Sequence, residues 1–171
     1  GQKRMISSLL WTHTMLFSDH SHVDWKNGEI SWMYHRFNTI SLIDSSFYEN
    51  YLFGGKYLNI VKYDLYGSEI LLQKGLRKFN DSIDIGFQLG FNLIFDQKKK
   101  DLGINIWKRF LNHKKIKTEY SLMPFAISKV LKSNDDKETY IEILKAQYNQ
   151  LPDESPLKEF YLKQIKKAQR N

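Results

Sequence analysis

One stretch of the sequence decides the fold: residues 47–58 read FYENYLFGGKYL. Aromatic and leucine side chains recur there at three- and four-residue steps, which places them on one face of a helix. The pair Gly54 and Gly55 leaves room on that helix for the close approach of a second one. Ser46 and Glu49 have the spacing of a capping box, in which each side chain accepts a free backbone N–H of the first turn. We therefore expect a helix that begins near Ser46.

The same helical spacing extends outward through almost the whole chain. Ile6, Leu10, His13 and Phe17 form one stripe, flanked by Met5, Leu9 and Leu16. Asp64 is expected to open a helix after the glycine pair, Asp81 or Ser82 the next one, and Ser155-Pro156 the last. No period-2 strand pattern persists for more than a few residues. The sequence therefore predicts an all-α fold of about nine helices.

Composition excludes several classes of protein. The chain has 171 residues, 42% hydrophobic and 26% charged, with 9 glycines, 3 prolines and no cysteine. The lack of cysteine excludes disulfide scaffolds, thiolate zinc sites and cysteine nucleophiles. No segment reaches the roughly 18 apolar residues of a membrane span. Because the chain begins at Gly1, a leader or anchor removed from its start remains an open alternative. The compartment is unknown; the cytoplasm is favoured, and the periplasm or a membrane anchor is the alternative.

The helices form pairs that repeat. Sliding the chain by 36 residues aligns Gly54 with Gly90, and it also aligns Gly67 with Gly103. Other aligned pairs are Tyr51 with Phe87, Leu58 with Ile94, and Leu71 with Trp107. A helix–turn–helix unit of about 34 residues is the period of the tetratricopeptide repeat. This chain resembles that family, most closely its bacterial members, and Phe47 to Gly55 carry most of the likeness.

The resemblance implies a fold and its boundaries. We expect one domain over residues 1–171, a superhelix of helix–turn–helix repeats. A divergent pair at 4–43 precedes clear repeats at 46–79 and 82–113. A divergent pair at 118–150 and a capping helix at 155–170 follow. The copies depart from the family pattern, since its turn proline is missing and several of its small residues are replaced.

The resemblance also implies a binding surface, because the first helix of each pair lines the concave face of such a superhelix. Lys56 and Asn92 then occupy the same position in successive repeats. The other expected partner-binding residues are Glu49, Leu52, Asn59, Ile60, Gln88, Phe95 and Asp96. Amides can bond a peptide backbone, apolar groups supply contact area, and Lys56 can meet a carboxylate.

Positive charge is concentrated between residues 97 and 117. This segment contains eight cationic side chains and one acidic side chain, Asp101. Its net charge therefore equals the net charge of the whole chain, +7. The eight cationic residues are Lys98, Lys99, Lys100, Lys108, Arg109, Lys114, Lys115 and Lys117. The ordinary interpretation is a solvated helix surface; the alternative is a patch that binds an acidic partner or a polyanion.

Candidate catalytic and metal-binding residues are few. His20 and His22, with Asp19 and Asp24, offer nitrogen and oxygen ligands in one loop, but a closed metal site needs three or four converging groups. No nucleophile elbow and no phosphate-binding loop is present. We therefore expect a non-enzymatic scaffold or adaptor without metal or cofactor, which binds a peptide or partner protein, for example in a signalling complex. The alternative is polyanion binding through residues 98–117, with nucleic acid the less favoured partner.

Overall fold

A computed structural model describes residues 1–18, 28–132, 137–150 and 155–170, and this part of the chain is helical with no strand. Within these described residues the predicted all-α class is confirmed, with nine α-helices where about nine were expected. The helices are α1 (Gln2–Leu16), α2 (Trp32–Ile43), α3 (Tyr48–Ile60), α4 (Leu65–Lys78), α5 (Ile83–Phe91), α6 (Lys100–Lys108), α7 (Met123–Lys132), α8 (Lys137–Gln150) and α9 (Pro156–Arg170). A π-helical turn, Asn92–Asp96, continues α5, and a short 3-10 turn covers Lys114–Ile116. None of the described helices has the length and apolar character to cross a membrane.

The chain divides into two compact units, residues 1–106 and 107–171, with the boundary inside α6. In the first unit each helix contacts its neighbour in the chain, and α2 also contacts α4 while α3 contacts α5. Its core is built from Met33, Phe37, Leu58, Leu71, Leu72, Ile85, Leu89 and Leu93. In the second unit α8 contacts both α7 and α9, around buried Ile127, Ile143, Leu144 and Ile165.

Asp64 opens α4, as the sequence predicts, and it also joins two segments of the unit. Its carboxylate is fully buried. One oxygen accepts the Gly67 N–H at 2.7 Å, and the other accepts the Ser31 N–H at 2.8 Å. The first bond caps α4, while the second fixes the residue that caps α2, because Ser31 Oγ accepts the Tyr34 N–H. One buried side chain therefore sets the start of two helices.

The α3–α4 hairpin is closed by small residues, as the glycine pair predicts. A Cβ atom on Gly55 would lie 2.5 Å from the Leu72 side chain, so any larger residue there would require Leu72 to move. Ser68 Oγ donates to the Gly55 carbonyl at 2.9 Å. The α5–α6 hairpin repeats this contact with Gly103, whose Cβ would lie 2.8 Å from the Gly90 carbonyl oxygen.

These contacts place the two hairpins 35 residues apart, not 36. α3 and α5 begin at Tyr48 and Ile83, and α4 and α6 begin at Leu65 and Lys100. Tyr63 and Lys98, non-glycine residues with positive φ of 52° and 59°, precede α4 and α6 with the same separation. The structural equivalents are therefore Gly55 with Gly90 and Ser68 with Gly103.

The capping box predicted at Ser46 and Glu49 is wrong. Phe47 precedes α3, and no side chain caps its first turn. The Ser46 hydroxyl instead donates to Asp44 Oδ1, and this bond is the main reason why the pKa of Asp44 lies below its usual value. Glu49 pairs with Arg4 of α1 at 3.3 Å. For α5, the expected cap is confirmed at Ser82, which accepts the Ile85 N–H.

Helix α1 packs with its polar side inward. Ser7 and Thr14 are buried, whereas Met5, Leu9 and Leu16 are exposed. Among the described residues, no hydrogen-bond partner reaches the buried Ser7 Oγ or Trp11 Nε1. Thr14 Oγ1 donates to the Leu10 carbonyl of its own helix. The packing of α1 on the unit therefore depends on small side chains and on Arg4, which lies over the Phe47 ring at 4.1 Å.

Ser7 and Ser68 provide a matched pair for testing this packing, because both are fully buried. We expect Ser7→Ala to raise the free energy of unfolding by about 1 kcal/mol, since it removes a desolvated hydroxyl that bonds nothing. Ser68→Ala should lower it by about 1 kcal/mol, because the bond to Gly55 is lost. Urea denaturation of both variants measures the difference. Equal losses would contradict the assignment of Ser7 as an unsatisfied group.

Candidate partner-binding surface

The expected binding residues of α3 fall into two groups. Glu49, Lys56 and Ile60 lie at the surface, with Ile60 62% exposed. Leu52 and Asn59 are buried. Asn59 Nδ2 donates to Asp96 Oδ2 at 3.0 Å, so it joins α3 to the π-helical turn. Asn59 is thus engaged inside the unit, and the outer surface of α3 consists of the first group.

On α5, Gln88 and Asn92 are buried rather than exposed. Asn92 Nδ2 donates to the Leu65 carbonyl at 2.9 Å, and Asn92 Oδ1 accepts from Gln97 Nε2 at 3.1 Å. These bonds tie α5 to the start of α4. Phe95 lies at the surface, and Asp96 is half-buried beside Asn59. Lys56 and Asn92 are therefore not equivalent positions of one surface.

The 35-residue spacing identifies the residues that do correspond. Lys56 matches Phe91, and Ile60 matches Phe95; both phenylalanines are 38% exposed. At the other end of the helices, Glu49 matches Asp84. The sequence analysis missed Phe91 because the 36-residue shift moved the outward positions of α5 by one residue.

Two contacts show that α3 and α5 run parallel, side by side. Tyr48 Oη donates to Asp84 Oδ2 at 3.3 Å near their first turns, and Asn59 meets Asp96 near their ends. We call the exposed surface of this pair the α3–α5 face, defined by Lys56, Ile60, Phe91 and Phe95. The rings of Phe91 and Phe95 are 4.8 Å apart. The face therefore combines an apolar strip with one cation.

The π-helical turn shapes one end of this face. The Gln97 N–H donates to the Asn92 carbonyl five residues earlier, at 2.9 Å. Such wide turns are rare and recur at functional sites. Here the wide turn lies where Asn59 donates to Asp96 and Gln97 donates to Asn92. It fixes the chain that carries Phe95 against α3.

The basic block predicted at 98–117 is divided between the two units. Lys98, Lys99 and Lys100 belong to the first, and Lys99 Nζ pairs with Glu69 at 2.9 Å. The other five, Lys108, Arg109, Lys114, Lys115 and Lys117, belong to the second. Lys115 pairs with Glu119 at 3.3 Å. Part of the positive charge is therefore compensated within each unit.

The loop weighed as a candidate metal site, with His20 and His22, lies outside the described residues. Among the residues described, no three His, Asp or Glu side chains converge. His113 accepts the Lys115 N–H and so begins the 3-10 turn. His13 and His35 line an open groove between α1 and α2.

Comparison with known proteins finds no matching family model, no matching curated protein and no matching solved structure. The functional interpretation therefore depends on the geometry of this chain.

Proposed function

We propose that the protein is a non-enzymatic interaction module that binds a peptide or a segment of a partner protein on the α3–α5 face. One observation carries the proposal: positions 35 residues apart on two parallel helices pair exposed Ile60 with exposed Phe95, and half-buried Lys56 with exposed Phe91. A repeated, exposed apolar strip of this kind is unusual for a surface that only meets water.

The chemistry of the face suits a partner with apolar anchors. Ile60, Phe91 and Phe95 supply the area from which interface hot spots are made, and aromatic side chains carry much of such binding energy. Lys56 Nζ lies 5.8 Å from the exposed Phe53 ring, where it can meet a carboxylate at the edge of the contact. Glu49 and Asp84 lie at the opposite end, where Glu49 pairs with Arg4 and Asp84 accepts from Tyr48. Lys56 would therefore be the charge that orients the partner along the helices.

The resemblance to tetratricopeptide repeats extends this proposal. In a superhelix of that family, the α3–α5 face would be part of the concave surface, and the protein would act as an adaptor, for example in a bacterial signalling complex. The support for this extension is the pairing of helices at 35-residue spacing, with glycine or serine at the close contacts.

A capture experiment tests the proposed function. We expect wild-type protein to retain a specific partner from native cell extract, and the double variant Ile60→Glu/Phe91→Glu to lose at least nine-tenths of it. Leu102→Glu is the matched control, because Leu102 is 55% exposed on the second helix of its hairpin, α6. Mass spectrometry of the retained proteins gives the comparison. Equal retention by the double variant would contradict the site.

Ionic strength separates this proposal from polyanion binding through residues 98–117. Binding to phosphate groups weakens steeply between about 50 and 200 mM salt, whereas an apolar contact loses little. Two results together would favour the basic block instead: capture is lost as the salt concentration rises over this range, and the Ile60/Phe91 double variant still captures the partner at low salt.

A further inference from the structure

Helix α1 presents a continuous apolar surface to solvent. Met5, Leu9 and Leu16 are 60%, 64% and 73% exposed, and Ile6, Leu10 and Phe17 share the same side. At 3.6 residues per turn these six side chains cover an arc of about 140°. A surface helix normally turns such a stripe toward its own core. In α1 the inward side instead carries Ser7 and Thr14, so the apolar side lacks cover within the described chain.

Leu9 and Leu10 of the stripe, with His13 and Thr14, form one wall of a groove whose other wall is α2, while the other four stripe residues lie outside it. Arg4 meets Asp44 at one end of the pair and His13 meets Arg36 further along, so the two helices are antiparallel. The groove has a volume of about 620 Å³. Leu9, Leu10, Trp32 and Ile40 form its apolar lining, together with Thr14 and Thr39. We call it the α1–α2 groove.

Among the described residues that line the α1–α2 groove, the charged or titratable side chains are Arg36, His13 and His35, and none is a carboxylate. Arg36 lies over the Trp32 ring at 4.8 Å and donates to His13 Nδ1 at 3.3 Å. His35 stands on the same wall as Arg36. Among the described residues, no Asp or Glu forms an ion pair with Arg36. An occupant that brings negative charge beside apolar groups complements this site.

We propose that the α1–α2 groove binds an amphipathic helix of a partner protein whose apolar stripe is flanked by acidic residues. Ile6, Leu10, His13 and Phe17 have the i, i+4, i+7, i+11 spacing along which helices pack. The stripe follows a helix of 15 residues, about 22 Å long, which matches a partner helix of four turns. Helix-in-groove binding of this kind uses apolar anchors at helical spacing.

The charge and the shape favour this occupant over two others. A second copy of the chain, packed symmetrically on the same groove, would bring a second Arg36 and no carboxylate from the described lining. A lipid surface is flat, whereas the groove has buried Thr14 and Ile40 at its floor between the two helices. The inference does not rest on the α3–α5 face, because the two surfaces share no residue.

Two synthetic helical peptides of 18 residues test the proposal. Both carry leucines at i, i+4, i+7 and i+11; one has glutamates beside them and the other has lysines at the same positions. Fluorescence anisotropy of labelled peptide measures binding. We expect the glutamate peptide to bind wild-type protein at least tenfold more tightly than the lysine peptide. Arg36→Glu should abolish this preference or reverse it.

The variants Leu9→Gln and Leu42→Gln distinguish peptide binding in the groove from nonspecific binding to exposed apolar side chains. Leu9 lines the groove, while Leu42 is 75% exposed on α2 outside it. We expect Leu9→Gln to weaken the glutamate peptide at least tenfold and Leu42→Gln to leave it unchanged, with circular dichroism confirming that both variants fold. Failure of both peptides to bind, or equal binding of both, would overturn the proposal. Two further results would overturn the proposal. One is a wild-type dimer that Leu9→Gln dissociates, and the other is binding of the wild type to phosphatidylglycerol vesicles that Leu9→Gln abolishes.

Discussion

Replacing Asp64 with alanine is expected to lower the free energy of unfolding by about 3 kcal/mol. The buried carboxylate accepts two backbone N–H groups, from Gly67 and from Ser31. Loss of a helix cap costs about 1 kcal/mol, and a buried amide left without a partner costs about 1–3 kcal/mol more. Both Ser31 and Gly67 are buried, so water cannot readily replace the lost acceptor. Urea denaturation followed by circular dichroism measures the change.

Ser82→Ala is the matched control for Asp64→Ala. Ser82 also caps a helix, α5, but it accepts only one backbone N–H, that of Ile85 at 3.3 Å, and it is partly exposed. We expect it to cost about 1 kcal/mol. If the two variants lost equal stability, Asp64 would be an ordinary cap and not the joint between α2 and α4.

Gly103→Ala is expected to destabilise the protein by about 2 kcal/mol, although alanine is the better helix former. In an exposed helix this change would gain about 1 kcal/mol. Here the new Cβ would lie 2.5 Å from Ile94 Cγ1 and 2.8 Å from the Gly90 carbonyl oxygen. A backbone oxygen cannot move aside without moving α5, and overpacking of this kind typically costs 1–3 kcal/mol. The sign of the change measured in urea is therefore diagnostic.

Asn105→Ala provides the reference on the same helix. Asn105 is exposed on α6, and alanine there should be neutral or slightly stabilising because of its helix propensity. A stabilising Gly103→Ala, similar to Asn105→Ala, would show that the α5–α6 hairpin does not depend on the close contact at Gly90.

Much of the fold could be predicted from the sequence because the signals of a helix, its side-chain spacing and its capping residues, lie within a few residues of one another. The three- and four-residue spacing gave the all-α class, and Asp64 and Ser82 mark helix starts through a bond to a residue three positions later. The capping box at Ser46 failed although its spacing was right. The residue that precedes α3 is Phe47, so Ser46 lies one position too early, and its side chain is turned to Asp44.

The predicted binding residues of α5 were one position away from the outward-facing ones. The 36-residue alignment matched identical residue types, whereas the residues that make the same contact in the two hairpins differ in type. A shift of 36 pairs glycine with glycine twice, at Gly54 with Gly90 and Gly67 with Gly103. In the structure the close contacts pair Gly55 with Gly90 and Ser68 with Gly103. Serine takes the role of glycine there because its hydroxyl bonds the facing carbonyl. No pattern within one sequence shows which small residue touches its neighbour.

The side of α1 that packs against the rest of the unit could not be predicted from the sequence either. The spacing shows the apolar stripe, but periodicity does not tell whether that stripe is buried or exposed. The small polar residues Ser7 and Thr14 allow α1 to lie close to the unit, and Arg4 holds its first turn against Asp44, Phe47 and Glu49. Contacts between segments distant in the chain thus decided the outcome.

Site-specific photo-crosslinking tests the α3–α5 face most directly. A photoreactive amino acid would be placed in turn at positions 60, 91 and 102, and the protein irradiated in native cell extract. We expect the same partner to be crosslinked from positions 60 and 91 and not from position 102. Crosslinks of equal yield from position 102, or none from positions 60 and 91, would contradict the proposed binding face.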